Sequence, residues 1–365
     1  MNEKQEQSIF KREDAISELL DRFRVVPWFE QYVKSLPQDF INRIVDISKS
    51  VVDIRVKNDT VIEIELYNPD EMGSNHWKYC FAEPYPGIRI LSGNMKGLTK
   101  LEGIRSNIKD TATSVIHYCV RGRCEILTKD GMYAFMEPGV CCVESHKHKE
   151  KNFNFYGEEY EGVEIAFELN TFTEEQMDYL KTLGVDIRKL KENFILDKEY
   201  LIGHVSPKLK EMELDVNESM TDGTADNLGL FLSICKINHL VESGHITTDR
   251  TKYYLTNGQR KICAEIHDYF LEHLSEDITA EKMAEQYNLS HVSLNKYFAI
   301  MYGNTLHKYM QNYRMEHAAK LLVNTDMSVA QIALEVGYDN QGKFSSVFKK
   351  KYNMTPLEYK RMSSI

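Results

Sequence analysis

No stretch of this 365-residue chain approaches the run of about eighteen apolar residues that a membrane span needs. The opening Met1-Asn2-Glu3-Lys4-Gln5-Glu6-Gln7 also lacks the charged-then-apolar order of an export signal. Together these absences lead to the expectation of a cytoplasmic protein with no membrane partner. The seven cysteines, at positions 80, 119, 124, 141, 142, 235 and 263, include no CxxC pair, so neither a disulfide framework nor a zinc finger is indicated. Reduced thiols on apolar strands and helices are expected instead. No Ser-His-acid order, Walker loop or dinucleotide fingerprint occurs, which argues against an enzyme and against a nucleotide cofactor. With 42% hydrophobic and 27% charged residues, the chain is long enough for two or three domains that each bury a core.

An excess of positive charge is missing too, since the net charge is −10. The acidity is not evenly spread. Residues 258–365 hold 13 Lys and Arg against 12 Asp and Glu, whereas the rest of the chain holds 32 against 43. After Asn340 come Lys343, Lys349, Lys350, Lys351, Lys360 and Arg361 with a single acid, Glu358. A local patch of this kind, rather than a basic average, is what phosphate contact requires.

What the chain does contain is one unit used twice. Met283-Ala284 recurs 49 residues later as Ile332-Ala333, while Leu294, Tyr297, Phe298, Tyr302 and Thr305 recur 50 residues later as Phe344, Val347, Phe348, Tyr352 and Thr355. The second copy therefore carries one extra residue in its turn. In the first copy Thr279 can cap a short helix with Met283 and Ala284 inward, Asn288 can take a left-handed stop, and Ser290 can cap a helix burying Leu294, Tyr297, Phe298 and Met301 before Gly303. In the second, Ser328 and Gln331 form a capping box, Gly337 supplies the turn, and Asp339 or Asn340 caps a helix burying Phe344, Val347 and Phe348. The run from Thr355 through Pro356 and Leu357 to Glu358 then opens a final helix. Residues 279–302 and 328–352 read as two helix-turn-helix units. A bundle that merely packs explains the apolar stripes, but not their duplication with these stops.

At Ile332-Ala333, Gly337-Tyr338, Phe344, Phe348-Lys349 and Thr355 through Tyr359 the chain resembles the arabinose-regulator (AraC/XylS) family of transcription factors, over roughly a hundred residues. The resemblance implies double-stranded DNA as partner, with a helix from Thr305 to Val323 holding two reading helices about one duplex turn, roughly 34 Å, apart. The exposed reader positions are His291, Val292, Asn295 and Lys296 in the first unit and Gln341, Gly342, Lys343 and Ser346 in the second, with Lys349 and Lys350 toward phosphate. By end-group chemistry, Asn295 can pair in two places with adenine, Lys296 can reach guanine or phosphate, and Val292 can touch a thymine methyl. Gln341 and Lys343 have similar capacity, and Gly342 acts only by close approach. Neither reader carries an arginine, the strongest guanine ligand. That leaves open which bases are read, but not the docking.

Upstream, residues 1–38 read as a helical segment, and from 39 to 170 the apolar period shifts to two, with turns at Arg121-Gly122-Arg123, Lys129-Asp130-Gly131 and Glu137-Pro138-Gly139. The rhythm suggests an antiparallel sandwich or barrel and resembles the cupin-like sensor of arabinose-type regulators. Residues 171–242 look helical, with Asn227 to Glu242 the most apolar helix; in related regulators a helix here pairs two subunits, so a homodimer is expected, though packing on the barrel is an equally ordinary fate. The polar stretch 243–258 reads as a linker, and 259–365 as the DNA-binding domain. The fold class expected is α+β, a small β-barrel or jelly roll followed by an all-α domain with two helix-turn-helix motifs.

A barrel interior offers a pocket, and His117, Tyr118, Tyr133, Phe135 and Cys141 are its candidate walls for a small-molecule effector. His146 and His148 before Glu150 resemble the metal site of catalytic barrels, but the intervening lysines favour a charged loop, and no metal is assigned. Two functions from different classes stand: an effector-controlled transcription regulator, which engages RNA polymerase if it activates, and a metal- or thiol-dependent sensor or barrel enzyme fused to a DNA reader.

Overall fold

The structure is a computed structural model that describes residues 51–67, 76–97, 100–104, 112–128, 131–146, 151–196, 201–276 and 278–362. The expected helical segment 1–38 and the loop from Lys147 to Glu150 lie outside the described residues. The chain divides into two compact units, one of residues up to 129 with 136–251, the other of residues 130–135 with 252–365.

The first unit is rich in sheet. Its strands are β1 (Val51–Val56), β2 (Ile62–Tyr67), β3 (His76–Tyr85), β4 (Ile88–Lys96), β5 (Lys100–Ile104), β6 (Thr113–Arg121) and β7 (Cys124–Leu127). Then follow β8 (Tyr133–Met136, most of it assigned to the second unit), β9 (Val140–His146), β10 (Lys151–Phe155), β11 (Glu159–Glu168), β12 (Leu201–Val205) and β13 (Ile246–Thr248). Nine of them form one sheet in the order β1-β2-β3-β4-β11-β6-β9-β12-β13, antiparallel throughout. Apart from it, β10 pairs with both β5 and β7.

Register sorts the side chains of the large sheet. Ser92 lies opposite Val163, Val163 opposite Tyr118, and Tyr118 opposite Cys141. Strand pleating puts these four on one face together with Ile90, Ile165 and Ile116. That face is covered by helices α1 (Glu174–Thr182), α2 (Ile187–Ile195), α3 (Pro207–Asp222) and α4 (Asn227–Glu242), and one continuous apolar core joins sheet to helices. Each helix begins where an oxygen-bearing side chain can accept an orphan amide: Thr173 with Gln176 as a capping box, Asp186, Ser206 followed by Pro207, and Asp226. In α4, Phe231 and Cys235 turn inward while Leu228 and Leu232 stay exposed.

The polar stretch 243–258 is more ordered than its composition suggests. Ile246 is buried and its strand adds to the sheet edge on β12, then come the turn α5 (Arg250–Tyr253) and β14 (Tyr254–Leu255), which pairs with Tyr133 and Ala134 of β8. Isolated apolar residues, Ile246 and Leu255, anchor these short strands in a polar context.

All seven cysteines are buried and none is joined in a disulfide. Burial pushes the thiols of Cys119, Cys124 and Cys141 up, and Cys235 to about 11.

Among the buried polar groups of the helix-facing core, one carboxyl is left without a hydrogen-bond partner. Glu213, on the inner face of α3 between Leu209 and Val216, is 1% exposed, and neither carboxyl oxygen meets a hydrogen-bond partner. Burial holds its carboxyl well above the ordinary value of 4.5. The folded chain therefore keeps a proton that the unfolded chain gives up, so the contribution of this group is whole below pH 4.5 and is lost as pH rises through the raised value. Glu213→Leu is expected to stabilise the chain by about 1–3 kcal/mol at neutral pH. The gain should grow as pH rises, as read from denaturant midpoints of the two proteins between pH 5 and 8.5; a gain that shrinks with pH would refute the assignment of a neutral buried acid.

Candidate nucleic-acid interface

The second unit holds α6 (Asn257–Glu272), α7 (Ala280–Gln286), α8 (His291–Tyr302), α9 (Leu306–Asn324), α10 (Val329–Glu335), α11 (Gln341–Tyr352) and α12 (Pro356–Met362). Punctuation sets each boundary. Thr279 accepts the Lys282 amide, Asn288 takes a φ of 54°, Ser290 accepts the Ser293 amide, and Gly303 closes α8 with a φ of 76°. In the second copy Ser328 and Gln331 make a reciprocal capping box, Asn340 rather than Asp339 accepts the Lys343 amide, and Thr355 with Glu358 caps α12.

Gly337 is the tightest point of the second turn. Its φ is +80°, and a Cβ there would stand 2.7 Å from the Leu274 carbonyl oxygen and 3.2 Å from Cζ of Arg314. Only glycine satisfies both the left-handed backbone and the close approach.

The two copies share an interior down to ring geometry. Phe298, Tyr302 and Tyr309 cluster with centroids 4.7 to 6.2 Å apart, and Phe348, Tyr352 and Tyr359, each 50 positions later, cluster at 4.6 to 5.5 Å. Tyr309 escaped the sequence comparison, although its offset to Tyr359 was available. Helix α9 belongs to both interiors: Leu306 and Met310 are buried at its start, and Met315, Ala318, Ala319 and Leu322 enter the core of the second copy.

The outer faces also correspond. His291, Val292 and Lys296 are exposed on α8, and their counterparts Gln341, Gly342 and Ser346 are exposed on α11. Lys343, Lys349 and Lys350 are exposed as well. In the first copy the position of Lys350 is held by buried Ile300, so the lysine pair belongs to the second reader alone. Lys351 and Lys360 are spent on structure: Lys351 donates to Glu316 at 2.6 Å and to the Asn312 carbonyl, and Lys360 donates to the carbonyls of Thr325 and Met327. The positions they match in the first copy are buried methionines, Met301 and Met310.

Asn295, expected to read adenine, also has a partner within the domain. It is half-buried, and its side-chain oxygen accepts the Leu306 amide at 3.1 Å. Thr305 makes no side-chain cap to α9, so Asn295 satisfies one of that helix's orphan donors. Its counterpart Ser345 is half-buried too, and the counterpart of Leu306 is Pro356, which has no amide proton to satisfy. This bond takes one lone pair of the carboxamide oxygen and fixes the side chain against the start of α9.

The expected effector residues are divided between the two faces of the large sheet and between the two units. Tyr118 and Cys141 are buried on the helix-covered face of the large sheet, whereas His117, one residue along, points to the other face, where its Nε2 meets the Tyr160 hydroxyl at 2.7 Å. Tyr133 and Phe135 fall in the second unit, where Arg260 lies 4.7 Å from the Tyr133 ring centre.

Residues 283–362 match the family described as a helix-turn-helix domain. The transcriptional activator RhaR of Enterobacter sp. is 25% identical over 162 residues, which cover 44% of this chain and 55% of that protein. The xylose operon regulatory protein of Escherichia coli is 32% identical over 96 residues, covering 26% of this chain and 24% of that protein. A third relative, the uncharacterized transcriptional regulator YdeC of Bacillus subtilis, is 28% identical over 127 residues, covering 35% of this chain and 42% of it. The chain thus spans less than two thirds of each of these relatives. Among solved structures, the C-terminal domain of AraT, a response regulator from Geobacillus stearothermophilus, shares 36% identity, covering 28% of this chain and 84% of that one at a TM-score of 0.27. The C-terminal part of the chain is a helix-turn-helix domain of the kind carried by regulators of transcription, and no helix among the described residues is long and apolar enough to cross a membrane.

Two substitutions test the frame. Gly337→Ala is expected to cost about 1–3 kcal/mol in thermal or chemical unfolding. Asn295→Ala is expected to cost about 1 kcal/mol of stability through the lost cap, and to weaken all DNA sequences alike. A change of preference confined to one base pair, with stability untouched, would return Asn295 to base reading.

Proposed function

We propose that this protein is a sequence-specific DNA-binding regulator of the arabinose-regulator (AraC/XylS) type, controlled by a small molecule held in its N-terminal unit. The observation that carries the reading is the duplicated frame in which His291, Val292 and Lys296 on α8 and Gln341, Gly342 and Ser346 on α11 stand exposed at matching positions. In this reading each helix presents its N-terminal half to base edges in the major groove while Leu294 and Phe298, or Phe344 and Phe348, hold its back to the domain. Helix α9, with nineteen residues, is about 28 Å long at the standard rise. That length suits two readers set in successive major-groove segments. Lys343, Lys349 and Lys350 supply the phosphate contacts that the acidic remainder of the chain cannot.

The N-terminal unit, in this proposal, is a cupin-like sensor. Its antiparallel strands, with β11 lying between β4 and β6, support that reading. Exposed Leu228 and Leu232, four residues apart on α4, supply the apolar stripe through which a homodimer forms. The protein acts in the cytoplasm, and as an activator it also engages RNA polymerase. A thiol sensor is the weaker reading, because buried thiols whose titration is pushed upward stay protonated and unreactive.

Binding to DNA fragments, measured against salt, separates the roles. Lys343→Ala is expected to cost about 1–3 kcal/mol at the preferred site and to relax sequence choice, whereas Lys350→Ala weakens every sequence about equally and lowers the salt slope by about one. Unchanged binding in both variants would overturn the assignment of this face.

A further inference from the structure

The outer face of α8 carries one side chain that neither the fold nor phosphate chemistry accounts for. Val292, in the first turn of α8, is 65% exposed, more than any other large apolar residue described in the second unit. The back of the helix is already closed by Leu294, Phe298 and Met301, all buried, so Val292 adds nothing to the core. A β-branched residue is also a mediocre helix former, so local structure does not ask for it. Its place in the second copy, 50 residues later, is held by Gly342, where a Cβ would stand 3.1 Å from the Asn340 cap oxygen. One reader thus bears an apolar projection and the other leaves the place bare. Single exposed apolar residues are ordinary on protein surfaces. This one stands between exposed His291 and, one turn further on the same face, exposed Lys296, on a helix without a single acidic residue.

The one apolar substituent that base pairs present in the major groove is the methyl group on the fifth ring carbon of a pyrimidine. Thymine always carries it, and cytosine carries it at the same carbon once methylated there. We infer that Val292 reads this methyl group, so that α8 requires a 5-methylpyrimidine at one position of the site and α11, with Gly342, does not. This inference rests on the reading of α8 and α11 as DNA-reading helices, and names the base feature that one of them takes. Contact between the two apolar groups removes both from water and leaves no polar group unpaired. Lys296 on the same face is a donor, which meets the acceptors of a purine or a phosphate, so the two side chains recognise chemically different features. The discrimination made by Val292 is against a missing methyl rather than against a base. Uracil pairs as thymine does and presents the same acceptor, yet loses the contact. Cytosine methylated at that carbon restores the contact, although its exocyclic group is a donor.

The experiment uses the full-length chain, first to enrich a duplex from a random pool of synthetic DNA. In the enriched duplex each thymine is replaced singly by deoxyuridine, which deletes the methyl group and nothing else. Affinity is measured for the parent, for Val292→Ser and for Val292→Gly, which copies the residue of the second reader. At one uridine position the parent is expected to lose about fourfold in affinity, the worth of one buried methyl group, and both variants to lose nothing there. At the same position, 5-methylcytosine opposite guanine is expected to bind the parent about fourfold better than cytosine opposite guanine, and the variants not to tell the two apart. Lys350→Ala, assigned to phosphate, keeps the uridine effect. Melting temperatures confirm that the exposed position tolerates both changes. The inference fails if no single uridine weakens the parent, if the variants respond to uridine as the parent does, or if methylating the cytosine leaves the parent unmoved. Enrichment of a sequence that shows no methyl effect sinks this inference alone. A pool from which no sequence is enriched sinks the sequence-specific regulator, and this inference with it.

Discussion

Helix α9 is packed into two separate interiors, its first turns against the Phe298, Tyr302 and Tyr309 rings and its later turns, through Met315, Ala318 and Leu322, against Phe344 and Phe348. Rigid sharing of one helix removes the freedom that a flexible connector would leave between α8 and α11. Three further contacts of the C-terminal unit serve that constraint. Arg314, midway along α9, donates to the Glu276 carbonyl at 2.8 Å, and Gly337 lets the second turn close against Leu274 and Arg314. Asn295 anchors the start of α9 where Thr305 does not.

In the first unit the corresponding constraint is strand register. Pairing Ser92, Val163, Tyr118 and Cys141 in line gives one face of the sheet a single row for the helices to cover, and α3 lays Glu213 and Asn217 across it. The polar side chains on that row meet different fates. Ser92, Asn217 and Glu161 complete one another, and Glu213 is left over.

Much of the C-terminal unit was legible in the sequence because its boundaries are chemical. Thr279, Ser290 and Ser328 cap because a hydroxyl reaches a nearby amide, and Gly303 and Gly337 turn because they tolerate positive φ. These effects are local, and spacing reveals them. The role of Asn295 was not legible, because its partner, the Leu306 amide, lies eleven residues away, and the contrast with Ser345 depends on a missing proton at Pro356. His117 and Tyr118, both expected at the effector pocket, lie on opposite faces for a related reason. His117 and Tyr118 are adjacent in sequence, and adjacency in a strand means opposite faces, so a list drawn from neighbouring positions splits between two sides. Sequence spacing also cannot tell which of two sheet faces a helix will cover.

The two copies of the helix-turn-helix unit are fastened differently. Where the first buries Met301 and Met310, the second places Lys351 and Lys360, whose ammonium groups hold Glu316 and the backbone carbonyls of Asn312, Thr325 and Met327. Dispersion contacts of methionine are indifferent to dissolved ions, while the half-exposed Lys351–Glu316 pair is screened by them. Concentrated electrolyte therefore loosens the fastening of the second copy before that of the first.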